Sequence, residues 1–323
     1  MIDLHSHTTA SDGTSTPLQL VDEARAVGLE ILAVTDHDTF AGADICLQAA
    51  LKTAGSEAPL HIVPGVEIST SLDAAAHSMF RGKLRDIHLL AYFPRQRVPE
   101  AFRHWVLQLE ESRWERNREL LATLAGHGIQ VEEAELRARG GSVAGRVHLS
   151  HILLERGVVA SLEESFERYL GESAASYVPR QSPPISTAIA EIRKAGGLSS
   201  LAHPIRFWGD DWESGDQLAL WLAEVGLDAI EVWHSEQSAA YSRRALATAQ
   251  AAGLRVTGGS DYHGRNKPGI ALAYGHGLNP LVPVDQLRAF WEGAPLSLFD
   301  VARGLAAATA DEASASTEES LSA

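Results

Sequence analysis

The sequence has no run approaching the ~18 consecutive apolar residues that a membrane span requires, so an integral membrane protein is not expected. It has one cysteine, Cys46, which excludes an internal disulfide; its helical setting reads as a small buried hydrophobe. Basic residues are also short, with 27 Lys and Arg against 42 Asp and Glu. The resulting net charge of -15 disfavours long-range capture of duplex DNA. Small anions remain acceptable partners, because bound divalent cations can reverse the local potential. The first residues, Met1-Ile2-Asp3-Leu4-His5, carry an acid where a signal peptide has basic groups, and no long apolar segment follows. The cytoplasm is therefore the expected compartment, and nothing in the composition speaks to oligomeric state.

What is present is ordinary globular material, 45% hydrophobic and 21% charged. Apolar, β-branched-rich runs predict seven strands, at 1–4, 31–34, 61–66, 87–92, 198–202, 229–232 and 255–257. Helical stretches at 17–28, 39–54, 186–195, 216–225 and 239–252 separate most of them, and such alternation predicts a mainly parallel sheet. Pro17 suits a first helical turn behind Ser15 or Thr16 as cap, and Gly28 and Gly253 suit helix ends. Between Pro94 and Ser182 the alternation gives way to helices at 98–125, 131–137, 144–156 and 162–170. The expected organisation is an α/β barrel formed by 1–93 and 183–307, a helical insertion at 94–182, and a polar, disordered tail at 308–323.

Chemistry is carried by residues placed after the strand runs. His5 and His7 follow the first, Asp36 and His37 the second, Glu67 closes the third, His203 follows the fifth, and Asp261 and His263 follow the seventh. Carboxyl ends of parallel strands converge on one face, where such folds place their sites. Asp12 lies in a loop near enough to join them. His88 falls near the start of its run, so that strand is expected to run differently or to enter at another angle. A lone histidine is more often structural than a ligand, but repeated His-x-His, Asp-His and Asp-x-His pairings predict a metal site. Mixed imidazole and carboxylate donors suit Zn, Fe or Mn better than calcium.

The motifs Asp3-Leu4-His5-Ser6-His7, Ser11-Asp12-Gly13, Thr35-Asp36-His37-Asp38, Gly65-Val66-Glu67-Ile68, Ala202-His203-Pro204 and Ser260-Asp261-Tyr262-His263 resemble those of the polymerase and histidinol phosphatase (PHP) superfamily. Within it the chain is most similar to phosphoesterases acting on nucleoside 3',5'-bisphosphates and short RNA 5' ends. The resemblance implies a distorted seven-stranded (β/α)7 barrel and two or three divalent ions, with Mn2+ the first choice and Fe2+ or Zn2+ the others. It implies one set of His5, His7, Glu67 and Asp261, a second of Glu67, His88 and His203 bridged by Glu67, and a third of Asp12, His37 and His263. A hydroxide held between two ions would attack the phosphomonoester, with Glu67 and Asp261 at the reacting centre.

Arg146 and His148 stand in a segment, Gly145-Arg146-Val147-His148, that resembles a branch-specific one, although Val147 replaces a common proline. With Arg206, and also Arg180 and Lys267, they are candidate phosphate holders, the plain alternative for each being a solvated charge. His234, after the sixth strand, is a candidate proton donor to the leaving group or phosphate contact, or else a core histidine. Asp38 is expected to orient His37, and Trp208 and Trp212 are mostly core with a possible role in stacking on a nucleobase. His61, His77, His104, His127, His151 and His276 read as structural or exposed. The segment 71–86 is longer than the family's usual one and is a candidate lid.

Two other readings stand beside this one. A metal-dependent amidohydrolase also begins with His-x-His but calls for a bridging lysine or another carboxylate after a middle strand; no lysine ends a strand run here, whereas the Glu67 bridge and the three-ion set fit the phosphoesterase. A metal-stabilised binding domain would hold ions without turnover. Among phosphoesterases, a histidinol-phosphate phosphatase is the main rival.

Overall fold

The computed structural model describes residues 1–52, 59–77, 87–174 and 176–300. The expected tail at 308–323 and most of the candidate lid at 71–86 lie outside the described residues. Seven strands form one sheet in chain order: β1 (Ile2–Asp3), β2 (Ile31–Val34), β3 (His61–Thr70), β4 (Ile87–Tyr92), β5 (Leu198–Leu201), β6 (Ala229–His234) and β7 (Arg255–Gly259). The helices are α1 (Pro17–Ala26), α2 (Ala41–Leu51), α3 (Ala74–His77), α4 (Glu100–Gly126), α5 (Glu133–Gly140), α6 (Arg146–Glu155), α7 (Leu162–Ser165), α8 (Ile185–Lys194), α9 (Trp212–Glu224), α10 (Ala239–Ala251) and α11 (Val284–Trp291). No described helix is long and apolar enough to cross a membrane.

Local chemistry accounts for the element ends. At α1 the Thr16 hydroxyl accepts from the Gln19 amide while the Gln19 side chain accepts from the Thr16 amide, so Thr16 and not Ser15 is the cap. Ser15 instead donates to Glu23. The strand Ile31-Leu32-Ala33-Val34 is buried at every residue, as parallel strands covered on both faces require. Each such Leu or Ile contributes about 1.5–3 kcal/mol relative to exposure. Cys46 is buried, its thiol donating to the Pro17 carbonyl.

The sheet is not uniformly parallel. β4 runs antiparallel to both β3 and β5, whereas the other neighbours are parallel. This reversal sets Thr70 opposite Ile87 and Ser69 opposite His88, and the pairing carries β3 past its expected end near Val66. Glu67 consequently lies inside a strand and does not close one. The beginning of β4 lies beside the carboxyl end of β3, which is how a histidine near a strand's start reaches the same face as the others.

Backbone bonds close the sheet at β1 and β7, from the Leu4 amide to the Gly258 carbonyl, the Asp261 amide to the His5 carbonyl and the His7 amide to the Tyr262 carbonyl. Buried Asp3 fastens this seam by accepting from the amides of His5, Ser260 and Ala273 and from the Ser260 hydroxyl. A Cβ at Gly259 would lie 2.3 Å from the His5 nitrogen, so the seam admits only glycine there.

A second apolar cluster lies among the helices between β4 and α8, built from Trp114, Leu120, Leu124, Leu136, Leu149, Leu153, Leu170 and their neighbours. α4 serves both cores, since Phe102, Val106 and Leu109 from its first half pack in the barrel cluster. This shared helix joins the two clusters.

Candidate metal centre

The strands and the loops beyond them bring the nine expected donors together, with Glu67 at the centre. Its Oε1 lies 2.7 Å from His88 Nδ1 and 2.9 Å from His203 Nε2. Its Oε2 lies 3.1 Å from His7 Nε2, 3.1 Å from His37 Nδ1 and 3.4 Å from His5 Nε2. Asp261 Oδ1 is 3.5 Å from His5 Nε2 and 3.4 Å from His7 Nε2. On the outer side Asp12 Oδ1 is 3.2 Å from His263 Nε2, and its Oδ2 is 3.7 Å from His37 Nε2. Donor atoms lie within 4.8 Å of one another in the groups His5–His7–Asp261, His5–Glu67–His203, His37–Glu67–His88 and His7–Asp12–His37–His263.

These donors fit cations. His5 Nε2, His7 Nε2, His37 Nδ1 and Glu67 Oε2 are buried without a hydrogen-bond partner, an arrangement costing about 1–3 kcal/mol per atom unless something binds there. Burial alone would raise the Glu67 carboxyl, but His37, His88 and His5 override it and hold the group well below the usual range. Burial favours neutral imidazole at His203 and His263, the form that ligates metal, whereas at His5 and His7 the surrounding carboxylates outweigh burial and raise the pKa, so a cation would bind there by displacing protons. Three non-glycine residues at or just beyond the strand ends adopt left-handed backbone, Asp38 (φ 51°), His203 (φ 28°) and Asp261 (φ 57°). Such strain persists where the surroundings over-determine it, as at a site.

Supporting groups fix the donors. Glu231 Oε1 holds His5 Nδ1 at 3.1 Å while Oε2 accepts from the His203 amide at 2.7 Å, so one fully buried carboxylate aims two histidines. Sequence reading passed over Glu231, although an acid in an otherwise apolar strand is a signal in itself. Replacing it with Gln is expected to weaken metal binding about 10- to 100-fold, as loss of an outer partner of a ligating histidine does, measured by titration of metal-free protein. Asp36 does not reach the centre; it accepts from the Thr8 amide, the Thr8 hydroxyl and the Ser11 hydroxyl, shaping the loop that presents Asp12.

Beside Asp12, His37 and His88 opens a cavity of about 170 Å³ lined by Arg113, Arg116, Arg146, His148 and Arg180. Three of the five phosphate candidates are thus brought to one place. Arg113 and Arg116, one turn apart on α4, were missed because arginines in a long helix read as a solvated face. His148 Nδ1 accepts from the Gly145 amide, and burial lowers its pKa, so it stands as neutral imidazole. Arg206 and Lys267 go elsewhere: both reach Asp261 Oδ2, Arg206 at 3.0 Å while also paired with Glu236.

One expectation is corrected, and His234 and the two tryptophans take the core reading among their alternatives. Asp38 does not orient His37; its carboxylate takes the guanidinium groups of Arg113 and Arg180 and the Ser69 amide. Burial would raise the Asp38 carboxyl, but Arg180 and Arg113 hold it far below the usual range. A lowered acid stabilises the fold fully above its unfolded value of about 4, and this is lost only as pH falls through the lower, folded value. His234 is fully buried, its Nδ1 accepting from the Glu236 amide and its Nε2 facing Asp261 Oδ2 at 3.3 Å, so it stands as a core histidine that holds Asp261. Trp208 is buried in the barrel core, and Trp212 packs on Tyr241 with the Arg244 guanidinium over its ring, so neither presents a face to a base. None of the metal-competent groups among the described residues includes His61, His77, His104, His127, His151 or His276.

Comparison with known proteins agrees with this geometry. Residues 3–172 match the PHP domain model. The chain is 35% identical over 263 residues to the 5'-3' exoribonuclease Rnm of Escherichia coli, covering 81% of this chain and 84% of that one. It is 28% identical over 286 residues to the 3',5'-nucleoside bisphosphate phosphatase of Chromobacterium violaceum, covering 87% and 93%. A solved structure from Bifidobacterium adolescentis, described as a metal-dependent phosphoesterase, superposes with a TM-score of 0.70 at 29% identity over 90% of this chain and 94% of that one. The seven-stranded barrel, the convergent donors and these likenesses lead to one conclusion: the chain belongs to the PHP-domain family and is a metal-dependent phosphoesterase.

Proposed function

We propose that the enzyme hydrolyses one phosphomonoester of a small substrate that carries a second phosphate, the 3'-phosphate of nucleoside 3',5'-bisphosphates, and that it also acts on short RNA 5' ends. The observation that carries this reading is the arginine-lined cavity directly against Asp12, His37 and His88. A protein of net charge -15 that gathers four arginines and a histidine there has built a place for an anion separate from the donor cluster. The names of the Escherichia coli and Chromobacterium violaceum relatives support the same substrate class.

His5, His7, Glu67 and Asp261 would hold one ion, Glu67, His88 and His203 a second, and Asp12, His37 and His263 a third. Their mixed donors suit Mn2+, Fe2+ or Zn2+. When bound, such ions supply a water acidified to a pKa of roughly 7 and positive charge for the phosphoryl oxygens. The protein's share is positioning and electrostatics. Arg113, Arg116, Arg146, Arg180 and His148 grip the phosphate that does not react. Arg206 and Lys267 lie on the opposite side at Asp261, where they offset charge on the reacting phosphoryl group. His234 and Glu231 fix Asp261, His5 and the His203 backbone, so no protein nucleophile is required.

Histidinol phosphate has one phosphate and a cationic amine, which the arginines would repel. The test is phosphate release by metal-stripped protein reloaded with Mn2+, offered adenosine 3',5'-bisphosphate, histidinol phosphate and a 5'-phosphorylated oligoribonucleotide. Faster release from the bisphosphate than from histidinol phosphate is the expected result; the reverse order would overturn the reading.

A further inference from the structure

We propose that Asp38 is a positioning residue that sets the spacing between the metal centre and the arginine cavity, and thereby makes a second phosphate on the substrate decisive for binding. This inference rests on the two-phosphate reading above and assigns the residue that enforces it.

Asp38 directly follows the donor His37 and is fully buried. It is tied to β3 on two sides: its amide donates to the Glu67 carbonyl at 3.0 Å, and its Oδ1 accepts from the Ser69 amide at 3.2 Å. Its position is therefore locked to the strand that carries the central carboxylate. Its Oδ2 receives Arg180 at 2.8 Å and also Arg113. Those two arginines come from distant parts of the chain, one from α4 and the other from the segment returning to the barrel, and both line the cavity. Asp38 itself does not line it.

Two guanidinium groups brought to one buried oxygen would repel each other without that carboxylate. Asp38 thus converges them, and it does so at a distance from His37 fixed by a single residue of backbone. Gly145 leaves room for Arg113 there, since a Cβ at that position would lie 2.9 Å from its Nη1. The phosphate gripped by the arginines and the phosphate presented to the donors are then held at one separation. A substrate with a single phosphate can occupy only one of the two places.

A merely structural ion pair would, when broken, lower activity on all substrates alike. A positioning role changes selectivity instead. The experiment compares KM and kcat of the Mn2+-loaded wild type, Asp38→Asn and Asp38→Glu on adenosine 3',5'-bisphosphate and on adenosine 3'-monophosphate. The wild type is expected to have the lower KM for the bisphosphate. In Asp38→Asn that KM rises by about tenfold more than the KM for the monophosphate, the loss of one charge-assisted contact's worth of binding, and Asp38→Glu recovers part of it. A wild type without preference for the bisphosphate overturns the two-phosphate reading and this inference with it. A wild-type preference that survives intact in Asp38→Asn overturns the inference alone. Should circular dichroism show Asp38→Asn unfolded, Asp38→Glu, which keeps the charge but moves the carboxylate by one methylene, carries the test: a rise in the bisphosphate KM larger than that for the monophosphate is expected, and an unchanged preference overturns the inference.

Discussion

Replacing Glu67 with Gln is expected to reduce turnover by roughly a thousandfold or more, since several kcal/mol of charge stabilisation depend on the ions it would bridge. The substitution preserves shape, so the effect is chemical. Both carboxylate oxygens face imidazoles, Oε1 toward His88 and His203 and Oε2 toward His7, His37 and His5. An amide removes the negative charge and turns one of those acceptors into a donor pointing where a cation belongs. Two ions should be lost together, read as a drop in metal content by elemental analysis, while the circular dichroism spectrum stays that of the wild type. Full activity, or loss of a single ion, would remove Glu67 from the bridging position.

The second large effect is on stability. Asp3→Ala is expected to cost about 3–6 kcal/mol, because the amides of His5, Ser260 and Ala273 and the Ser260 hydroxyl each lose a buried acceptor, at about 1–3 kcal/mol apiece, with water recovering part. Against a typical total of about 5–15 kcal/mol this is a large fraction. Urea unfolding followed by fluorescence should show a lower midpoint, and because His5 and Asp261 ride on the same seam, metal affinity should fall in parallel. An unchanged midpoint would mean that the seam is held by its backbone bonds alone.

The donors were legible because they obey a rule that sequence displays: titratable residues paired just beyond apolar strand runs. His88 broke the rule by standing at a strand's start, and that irregularity correctly flagged an altered direction. The reversal itself was not readable, since strand polarity is decided by which neighbours pair and not by local pattern. The same reason hid the reach of β3 to Thr70, which only pairing with β4 explains. Groups that act through tertiary contact were the least visible. Glu231 and Asp3 look like acids misplaced in strands until their partners are known, and Arg113 and Arg116 look like helix surface until they are seen to line the cavity. Asp38 misled for a related reason: adjacency to His37 in sequence suggested contact, whereas its backbone is left-handed and its carboxylate turns to Arg113 and Arg180.

The seam between β1 and β7 has a consequence for how the protein is made. His5 and His7 leave the ribosome well before Asp261 and His263, which emerge only after nearly the whole barrel has been synthesised. A nascent chain therefore presents isolated histidine pairs, whose grip on a metal is weak because the preformed donor set does not yet exist. The complete donor set exists only once the last strand has docked, so the free energy of metal binding there adds to that of folding.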